Sequence, residues 1–338
     1  MHKIGVVGAG GRLGTEIVKT LASQLVAVVA IASSRKNSWG DLVSYHEYPS
    51  NSTPQHLQQL FQELDAVINA APVSSSILQR EAIAAGCHVI DVGIKTKVIE
   101  ELLQLDELAK TQQRCLVTMA GLAPGLIGLL GTELLFRTPQ AEFVDVCLIQ
   151  NSQGTSGERG TKDMLDLLTI DGKKLSSCLV AQEEESLDTA EVKAFSFNTP
   201  ESLFLGDRDR MRFYTAFNRP ILNTLIVNLG RIRQYTPNVY KLLRNKIAAT
   251  KATQSIPDGE AILLSAVARK SDGQVASWDY YRLVSDYGAT AAIACTTADL
   301  ILKEQCNSGA GCLGDFVNLK TICQHPWMQN MILENYSN

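Results

Sequence analysis

Residues 6–18 read VVGAGGRLGTEIV, a stretch in which four glycines fall within seven positions. The residues before it predict a buried strand over Lys3–Val7, and the apolar side chains after it, spaced as on one helix face, predict a helix over Arg12–Ser23. A strand, a glycine-rich turn and a helix in this order are typical of a dinucleotide-binding site. The glycines at positions 8, 11 and 14 match the spacing G-x-x-G-x-x-G, a variant of the more familiar G-x-G-x-x-G.

These glycines meet a physical requirement of diphosphate binding. Free main-chain N–H groups and the positive end of the helix dipole stabilise a diphosphate at a helix N-terminus, and a Cβ atom there would hold it away. We expect Gly8 to permit the turn, Gly10 or Gly11 to allow the close approach, and Gly14 to pack the helix on the strand. The alternative is a glycine-rich turn that binds no ligand. The cofactor-binding residues predicted in this stretch are Gly8, Gly10, Gly11, Arg12 and Leu13.

The end of the second predicted strand indicates which nucleotide binds. NAD-binding proteins usually carry Asp or Glu about 20 residues after the glycines, where its carboxylate accepts hydrogen bonds from the ribose hydroxyls. This chain has Ser33, Ser34, Arg35 and Lys36 there instead. Two hydroxyls and two cations suit a 2′-phosphate, to which Arg12 is expected to contribute, so we predict NADP(H) rather than NAD(H). The alternative is that Arg35 and Lys36 lie in a solvated turn.

The pattern along the chain predicts an α/β fold with two domains. The first 125 residues alternate between strand-like and helix-like segments, which predicts a doubly wound parallel sheet. Later residues suggest antiparallel strands, including a hairpin over residues 261–284. At 338 residues the chain is long enough for two cores. We predict a Rossmann domain of residues 1–125 and about 288–338, and an inserted mixed α+β domain of residues 126–287 for substrate binding or dimerisation.

Composition excludes several classes of protein. A net charge of −4 and a charged content of 20% give no global attraction to nucleic acid or anionic lipid. The N-terminus lacks the pattern of a signal peptide, and the apolar tract Cys115–Phe136 is interrupted by Pro124 and Glu133, so no membrane span is predicted. Eight cysteines form no Cys-x-x-Cys pair. They predict reduced, buried thiols, a cytoplasmic location and no bound metal.

Five stretches carry a family resemblance when taken in order. They are VVGAGGRLG (6–14), NAAPVSSS (69–76), GCHVIDVG (86–93), AGLAPGLIGLL (120–130) and YGATAAIACTTADLIL (287–302). Together they resemble the saccharopine dehydrogenase-like family, whose fold is an NADP-binding Rossmann domain with an inserted substrate domain, after which the chain returns to the first domain.

The resemblance implies where the nicotinamide lies. It would lie near Ala70, Ala71 and Pro72, with Gly121 and Pro124 of the G-x-x-P-G elbow beside it. Ligands in open parallel sheets bind at the carboxyl ends of the strands, which agrees with this placement. The alternative for Pro72 is the start of a helix.

The substrate is expected at residues 150–163, QNSQGTSGERGTKD, which lead from a predicted strand into a predicted helix over residues 164–168. Hydroxyls, glycines and an arginine at a helix entrance suit a carboxylate. The alternative is that Thr161 only caps the helix. The substrate-binding residues predicted are Thr155, Ser156, Arg159 and Lys162, together with Pro124 of the elbow.

The proton donors predicted are Lys95, Tyr214 and Lys162. Lys95 follows the fifth strand, near the expected nicotinamide, whereas Asp91 is expected to cap a turn and His88 to be structural. Tyr214 ends the stretch RDRMRFY (208–214), which is either an anion-binding surface or a charged edge strand. The ordinary tyrosine pKa near 10 would have to fall for efficient acid catalysis near neutrality.

These observations predict a reductase or dehydrogenase. The resemblance implies an NADP(H)-dependent hydride transfer at a C–N or C=N centre of an amino-acid-derived carboxylate or amine substrate. One alternative is a dihydrodipicolinate reductase-like enzyme, which shares the GGR motif but has a further signature missing here. Another is a non-catalytic protein that senses NADP(H), because a fold does not determine a function. The small-residue helix over Ala289–Ala298 suits either a homodimer contact or packing on its own sheet.

Overall fold

The structure is a computed structural model of the chain. It describes residues 2–23, 26–34, 43–48, 53–152, 158–169, 174–181, 189–196, 199–206, 208–253, 261–303 and 307–338. The chain forms two compact units, one of Met1–Leu129 with Tyr287–Met331 and one of Leu130–Asp286 with Ile332–Asn338.

The first part of the chain alternates between strands and helices. Its strands are β1 (Lys3–Val7), β2 (Ala27–Ala32), β3 (Val43–Glu47), β4 (Ala66–Asn69), β5 (His88–Asp91) and β6 (Cys115–Thr118). Its helices are α1 (Arg12–Ala22), α2 (Pro54–Phe61), α3 (Ile77–Ala84), α4 (Thr96–Leu103), α5 (Asp106–Thr111) and α6 (Leu126–Arg137).

The middle of the chain forms the second unit. Its strands are β7 (Phe143–Gln150), β8 (Leu175–Ala181), β9 (Thr189–Ser196), β10 (Met211–Phe217), β11 (Ile262–Arg269) and β12 (Val275–Leu283). Its helices are α7 (Glu158–Leu168), α8 (Glu201–Phe204), α9 (Pro220–Tyr235) and α10 (Pro237–Thr253). The remaining elements are α11 (Asp286–Leu302), β13 (Gly309–Cys312), α12 (Leu313–Phe316), α13 (Leu319–Gln324), α14 (Pro326–Gln329) and β14 (Ile332–Ser337).

The first unit contains a parallel sheet of seven strands in the order β13-β6-β5-β4-β1-β2-β3. Every neighbouring pair in it is parallel. The chain builds outward from β1 to β3, then returns to the other side of β1 with β4, which confirms the doubly wound prediction. Strand direction and this reversal place the ends of β1 and β4 at the position where such sheets bind ligands.

Burial explains why these segments became strands and helices. Every residue of β4 and β6 is buried, as expected of strands covered on both faces. Helix α1 buries Gly14, Ile17, Val18 and Leu21, which recur at helical spacing on one face. The predicted small-residue helix is α11, whose residues Ala289 and Ala291–Ala298 are all buried.

The second unit contains a mixed sheet in the order β14-β12-β11-β7-β10-β9-β8. Strands β7 and β10 are parallel, and the other neighbouring pairs are antiparallel. The predicted hairpin is β11 and β12, and its turn contains Gly273 with a left-handed φ of +83°. Strand β14 pairs with β12, so the end of the chain lies in the second unit. The sequence had predicted that it lies in the first.

Two general findings concern cysteines and hydropathy. The seven described cysteines are in the thiol form, and six of them are buried. Within the described ranges, no helix combines the length and the apolar character that crossing a bilayer requires.

Candidate active site

The glycine-rich turn joins β1 to α1 and lies against the end of β4. Gly8 has a φ of +81°, a conformation that side chains disfavour, and a Cβ built on it would lie 2.8 Å from the main-chain nitrogen of Ala71. The turn therefore depends on a bare residue at Gly8 for two separate reasons. A Cβ on Gly10 would lie 3.4 Å from the Cβ of Ala32, which brings the turn close to the end of β2 as well.

Gly14 allows α1 to pack closely on this turn. A Cβ at this position would lie 2.2 Å from the carbonyl oxygen of Gly8. The hydroxyl of Thr15 donates to the carbonyl oxygens of Gly11 and Ala9, at 2.7 and 3.1 Å, and so joins the helix to the turn. The first turn of α1 is consequently held at the C-terminal end of β1.

The N-terminus of α1 has free hydrogen-bond donors. Gly11 occupies the N-cap position and offers no side-chain cap. Among the described residues, no acceptor contacts the main-chain N–H groups of Gly10, Arg12 and Leu13. Free donors, the positive end of the helix dipole and a surface without side chains fit the diphosphate of a dinucleotide.

A buried polar cluster supports the end of β4. Asn69, Gln79 and Asp91 are each 0% exposed. The carboxylate of Asp91 accepts hydrogen bonds from the side-chain amides of Asn69 and Gln79, at 2.7 and 2.6 Å, and from the main-chain nitrogen of Gly93 at 2.7 Å. The last contact makes Asp91 a turn cap, the role that the sequence predicted.

Asn69 connects this cluster by hydrogen bonds to the loop where the nicotinamide is expected. Its side-chain oxygen accepts from the main-chain nitrogen of Ala71 at 3.2 Å, and its amide donates to the carbonyl oxygen of Ala71 at 3.3 Å. Burial raises the pKa of Asp91, and the three donated hydrogen bonds oppose that effect in part. Sequence reasoning missed Asn69 and Gln79, although a polar residue ending an otherwise apolar strand was an available signal.

Lys95 and Pro72 lie at the same edge of the sheet. The Nζ atom of Lys95 is exposed and donates to the carbonyl oxygen of Val73 at 3.0 Å, joining the loop after β5 to the loop after β4. Pro72 is exposed and does not start a helix, because α3 begins five residues later at Ile77. The alternative role considered for Pro72 is therefore wrong.

The G-x-x-P-G elbow is a compact turn after β6. The nitrogen of Gly121 donates to the carbonyl oxygen of Pro124 at 3.2 Å, and Gly125 has a φ of +130°. Pro124, which follows a cis peptide bond, is buried. The nitrogen of Ala120 donates to the carbonyl oxygen of Asp91 at 3.0 Å, so the elbow begins beside β5.

The predicted 2′-phosphate pocket is described in part. Ser33 and Ser34 follow β2 and are exposed, and Arg12 is half-buried at the start of α1. Arg35 and Lys36 lie outside the described residues.

Tyr214 does not have the properties of an acid catalyst. It lies in β10, is 9% exposed and packs among apolar residues of the second unit. Burial raises the pKa of Tyr214, and the negative charge of Asp145 raises it further. This direction is the opposite of the one that catalysis near neutrality requires, so the prediction of Tyr214 as a proton donor is withdrawn.

The arginines before Tyr214 are not on a charged edge strand. Strand β10 lies between β7 and β9, and residues 208–210 form a 3₁₀ turn before it. The guanidinium of Arg212 donates a hydrogen bond of 2.6 Å to the carboxylate of Asp145, whose side chain is 1% exposed. The same guanidinium stacks on the ring of Phe143, 3.5 Å from the ring centre. Arg212 therefore neutralises a buried carboxylate, and the interpretation of this stretch as a charged edge strand is wrong.

Helix α7, which contains part of the predicted substrate segment, begins earlier in the sequence than predicted. The helix begins at Glu158, and Thr161 is 2% exposed within it, so Thr161 is not an N-cap. Lys162 forms an ion pair with Glu158 at 2.6 Å. Thr155 and Ser156 lie outside the described residues, as does the side chain of Arg159.

His88 is structural. Its Nδ1 atom accepts a hydrogen bond from the main-chain nitrogen of Cys115 at 3.1 Å, which links β5 to β6. Burial lowers the pKa of His88 to about 4, so the imidazole is neutral at neutral pH.

Comparison with known proteins agrees with this architecture. Residues 3–107 match the family model of the semialdehyde dehydrogenase NAD binding domain. No curated protein sequence matches the chain. Apo saccharopine dehydrogenase (L-Glu forming) from Saccharomyces cerevisiae is similar over 100% of both chains, with a TM-score of 0.65 and 9% identity. The WlbA dehydrogenase from Thermus thermophilus, in complex with NAD and α-ketoglutarate, is similar over 96% of this chain and 92% of its own, with a TM-score of 0.44 and 14% identity.

The chain thus has the Rossmann-type fold seen in saccharopine dehydrogenase, as the sequence predicted. The match to an NAD binding domain supports a nicotinamide cofactor and an oxidoreductase. It does not distinguish NADP from NAD.

Proposed function

We propose that the protein is an NADP(H)-dependent oxidoreductase that transfers hydride to or from a carbon bonded to nitrogen in an amino-acid-derived substrate. The observation that carries the cofactor is the uncapped N-terminus of α1, where three main-chain N–H groups have no acceptor in the described structure. The C–N class is supported by the sequence resemblance and by the fold shared with saccharopine dehydrogenase. When bound, the nicotinamide cofactor supplies or accepts the hydride.

The residues of the chain bind and orient the reactants. The glycine turn and the first turn of α1 hold the diphosphate, and the loops after β4 and β6 border the nicotinamide. The hydroxyls after β2, with Arg35, hold the 2′-phosphate and create the preference for NADP(H). The residues proposed to bind the cofactor are Gly8, Gly10, Gly11, Arg12, Leu13, Ser33, Ser34, Arg35, Ala70, Ala71, Pro72 and Gly121. Those proposed for the substrate are Thr155, Ser156, Arg159, Lys162 and Pro124.

Lys95 is the proposed proton donor. Its ammonium group is exposed at the carboxyl edge of the sheet, one hydrogen bond from the loop after β4. The Nζ atom would deliver a proton to the reacting nitrogen or remove one from it.

We expect Lys95→Met to lower turnover by roughly 100-fold or more, because positioned acid–base groups contribute about 10²–10⁴-fold. Tyr214→Phe is the matched control and is expected to leave turnover within about twofold, because the raised pKa of Tyr214 makes it a poor donor. Steady-state kinetics measure both effects, with the substrate that screening of amino-acid-derived imines identifies. An equal loss in the two variants would remove Lys95 from the proposal.

We expect Arg35→Ala to raise the dissociation constant of NADPH by roughly tenfold and to leave that of NADH unchanged. The reason is that a charge-assisted hydrogen bond to phosphate is worth about 1.5–3 kcal/mol and NADH has no 2′-phosphate. Calorimetric titration of wild type and variant with both coenzymes measures the preference. Tighter binding of NADH than of NADPH by the wild type would overturn the assignment.

The reaction is tested by monitoring NADPH absorbance with one panel of α-keto acids plus amines and a second panel of cyclic imines. Oxidation of NADPH in either panel supports hydride transfer at a C=N centre. Tight NADPH binding without turnover in both panels would contradict the enzymatic proposal and favour a protein that senses the coenzyme.

A further inference from the structure

The helices α9 and α10 carry a charge unlike that of the rest of the chain. Residues 219–253 contain seven Lys and Arg residues and no Asp or Glu, in a chain whose net charge is −4. Arg233 and Arg244 point inward and pair with Asp166 of α7. The other described cations of the two helices and their N-cap are exposed and form no ion pair within the described residues. They are Arg219, Arg231, Lys241 and Lys246.

Helix α9 also exposes an apolar stripe. Ile221, Leu225 and Tyr235 are 69%, 51% and 77% exposed. Their spacing of four and ten residues places them on one side of the helix, with the half-buried Ile232 between them. The buried residues of α9 lie on the opposite side, which faces the rest of the second unit. They are Asn223, Ile226 and Gly230.

Helix α10 follows after a one-residue connection at Thr236, and it also exposes apolar side chains beside cations. Val239 and Leu242 are 48% and 71% exposed. Lys246 follows Leu242 by four residues, so a cation and a leucine are neighbours on the exposed side. We call the exposed sides of α9 and α10 the basic hairpin face.

Charge argues against a second copy of the chain as the partner of this face. A two-fold interface places the same patch of both copies together. Each patch has four exposed cations, and residues 219–253 contain no carboxylate that would pair with them across the interface. The face therefore calls for a partner that carries negative charge.

The exposed isoleucine, leucine and tyrosine side chains decide which anionic partner fits. Nucleic acid is bound by cations and by aromatic stacking, and aliphatic stripes contribute little to it. A helix with Lys and Arg beside Leu, Ile and aromatic residues suits the boundary between headgroups and acyl chains of an anionic bilayer. We propose that the basic hairpin face docks the protein on anionic lipid membranes, independently of the cofactor site.

The test is co-sedimentation of the full-length protein with vesicles. Phosphatidylcholine vesicles are compared with vesicles that also contain about 30 mol% phosphatidylserine. We expect binding only to the anionic vesicles, with loss of binding as salt screens the charges. Arg231→Gln combined with Lys246→Gln should lower the partition coefficient by about 25-fold, at about fivefold for each cation near the surface. Ile221→Gln combined with Leu242→Gln should lower it by about tenfold or more, because both side chains lose their place among the acyl chains.

The matched control is Arg80→Gln combined with Lys320→Gln, which removes two exposed cations from the first unit and should leave binding unchanged. Melting temperatures close to that of wild type show that the variants remain folded. Absence of binding to anionic vesicles would overturn the proposal. A wild-type dimer that Ile221→Gln dissociates, without vesicle binding, would assign the face to a second copy. Equal binding to a single-stranded DNA oligonucleotide, insensitive to the apolar substitutions, would assign it to nucleic acid.

Discussion

Replacing Gly14 by alanine is expected to destabilise the first unit and to abolish coenzyme binding at the same time. A Cβ at this position would lie 2.2 Å from the carbonyl oxygen of Gly8 and 2.7 Å from the Cα of Ala9. Both are main-chain atoms, so no change of rotamer relieves the overlap and α1 must separate from the turn. We expect a loss of about 3 kcal/mol of unfolding free energy, at the upper end for overpacking. The displaced helix N-terminus should weaken NADPH binding by roughly 100-fold.

Gly10→Ala separates the two effects. The nearest atom to a Cβ at Gly10 is the Cβ of Ala32 at 3.4 Å, an ordinary contact, and Gly10 is not among the residues with a left-handed φ. Its melting temperature should therefore match that of wild type. Its NADPH affinity should fall by about tenfold or more, because the new methyl group occupies the approach of the diphosphate. Thermal unfolding and calorimetry measure both quantities. Wild-type melting in Gly14→Ala, or wild-type affinity in Gly10→Ala, would contradict this account of the turn.

Elements defined by local hydrophobic patterns were predictable from the sequence. Strand β1 begins and ends where predicted, and α1 begins where predicted and ends one residue before its predicted end. These segments can be predicted because their apolar side chains recur with the period of the structure that they form.

Elements defined by contacts distant in sequence were not predictable. No strand was predicted after α11, yet Gly309–Cys312 form β13 beside β6. Asp106 supports this strand by accepting a hydrogen bond from the nitrogen of Ala310 at 2.9 Å. The same Asp106 is the first residue of α5.

The candidate site follows the same division. The glycine turn was predictable, because its function requires particular residues at fixed spacing. The pairing of Arg212 with Asp145 was not, since it depends on β10 being an interior strand, which only the strand order reveals. Net charge likewise concealed the basic hairpin face, because acidic residues elsewhere in the chain outweigh it.

Asp91→Asn is expected to weaken both the fold and coenzyme binding through a single lost hydrogen bond. The three partners of the Asp91 carboxylate are all N–H donors. An asparagine retains the oxygen that faces Gly93 but presents an NH₂ group to Asn69 and Gln79. Gln79 can rotate its amide, because its side-chain oxygen is buried without a hydrogen-bond partner in the described structure. Asn69 cannot rotate, because both ends of its amide already bond to Ala71.

The stranded amide of Asn69 should cost about 1–3 kcal/mol of unfolding free energy. NADPH affinity should fall by roughly tenfold, because the loop at Ala71 loses its support. Asp65→Asn is the matched control, at the opposite end of β4, where the carboxylate is half-exposed and accepts from the main-chain nitrogen of Lys3. It should change NADPH affinity by less than about twofold, since the loop lies at the other end of the strand.

The pH dependence of the stability difference between wild type and Asp91→Asn tests whether burial raises the pKa of Asp91. Burial raises the pKa of Asp91 in the folded state above its ordinary value of 3.8. The folded state therefore holds this proton more tightly than the unfolded state, and the resulting stabilisation is lost as pH rises through the raised pKa. Asparagine does not titrate, so the stability gap between wild type and variant should be largest below the ordinary value of 3.8 and should shrink as pH rises above it. Denaturant unfolding of both proteins across this interval measures the gap, and a gap that widens with pH would refute the raised pKa of Asp91.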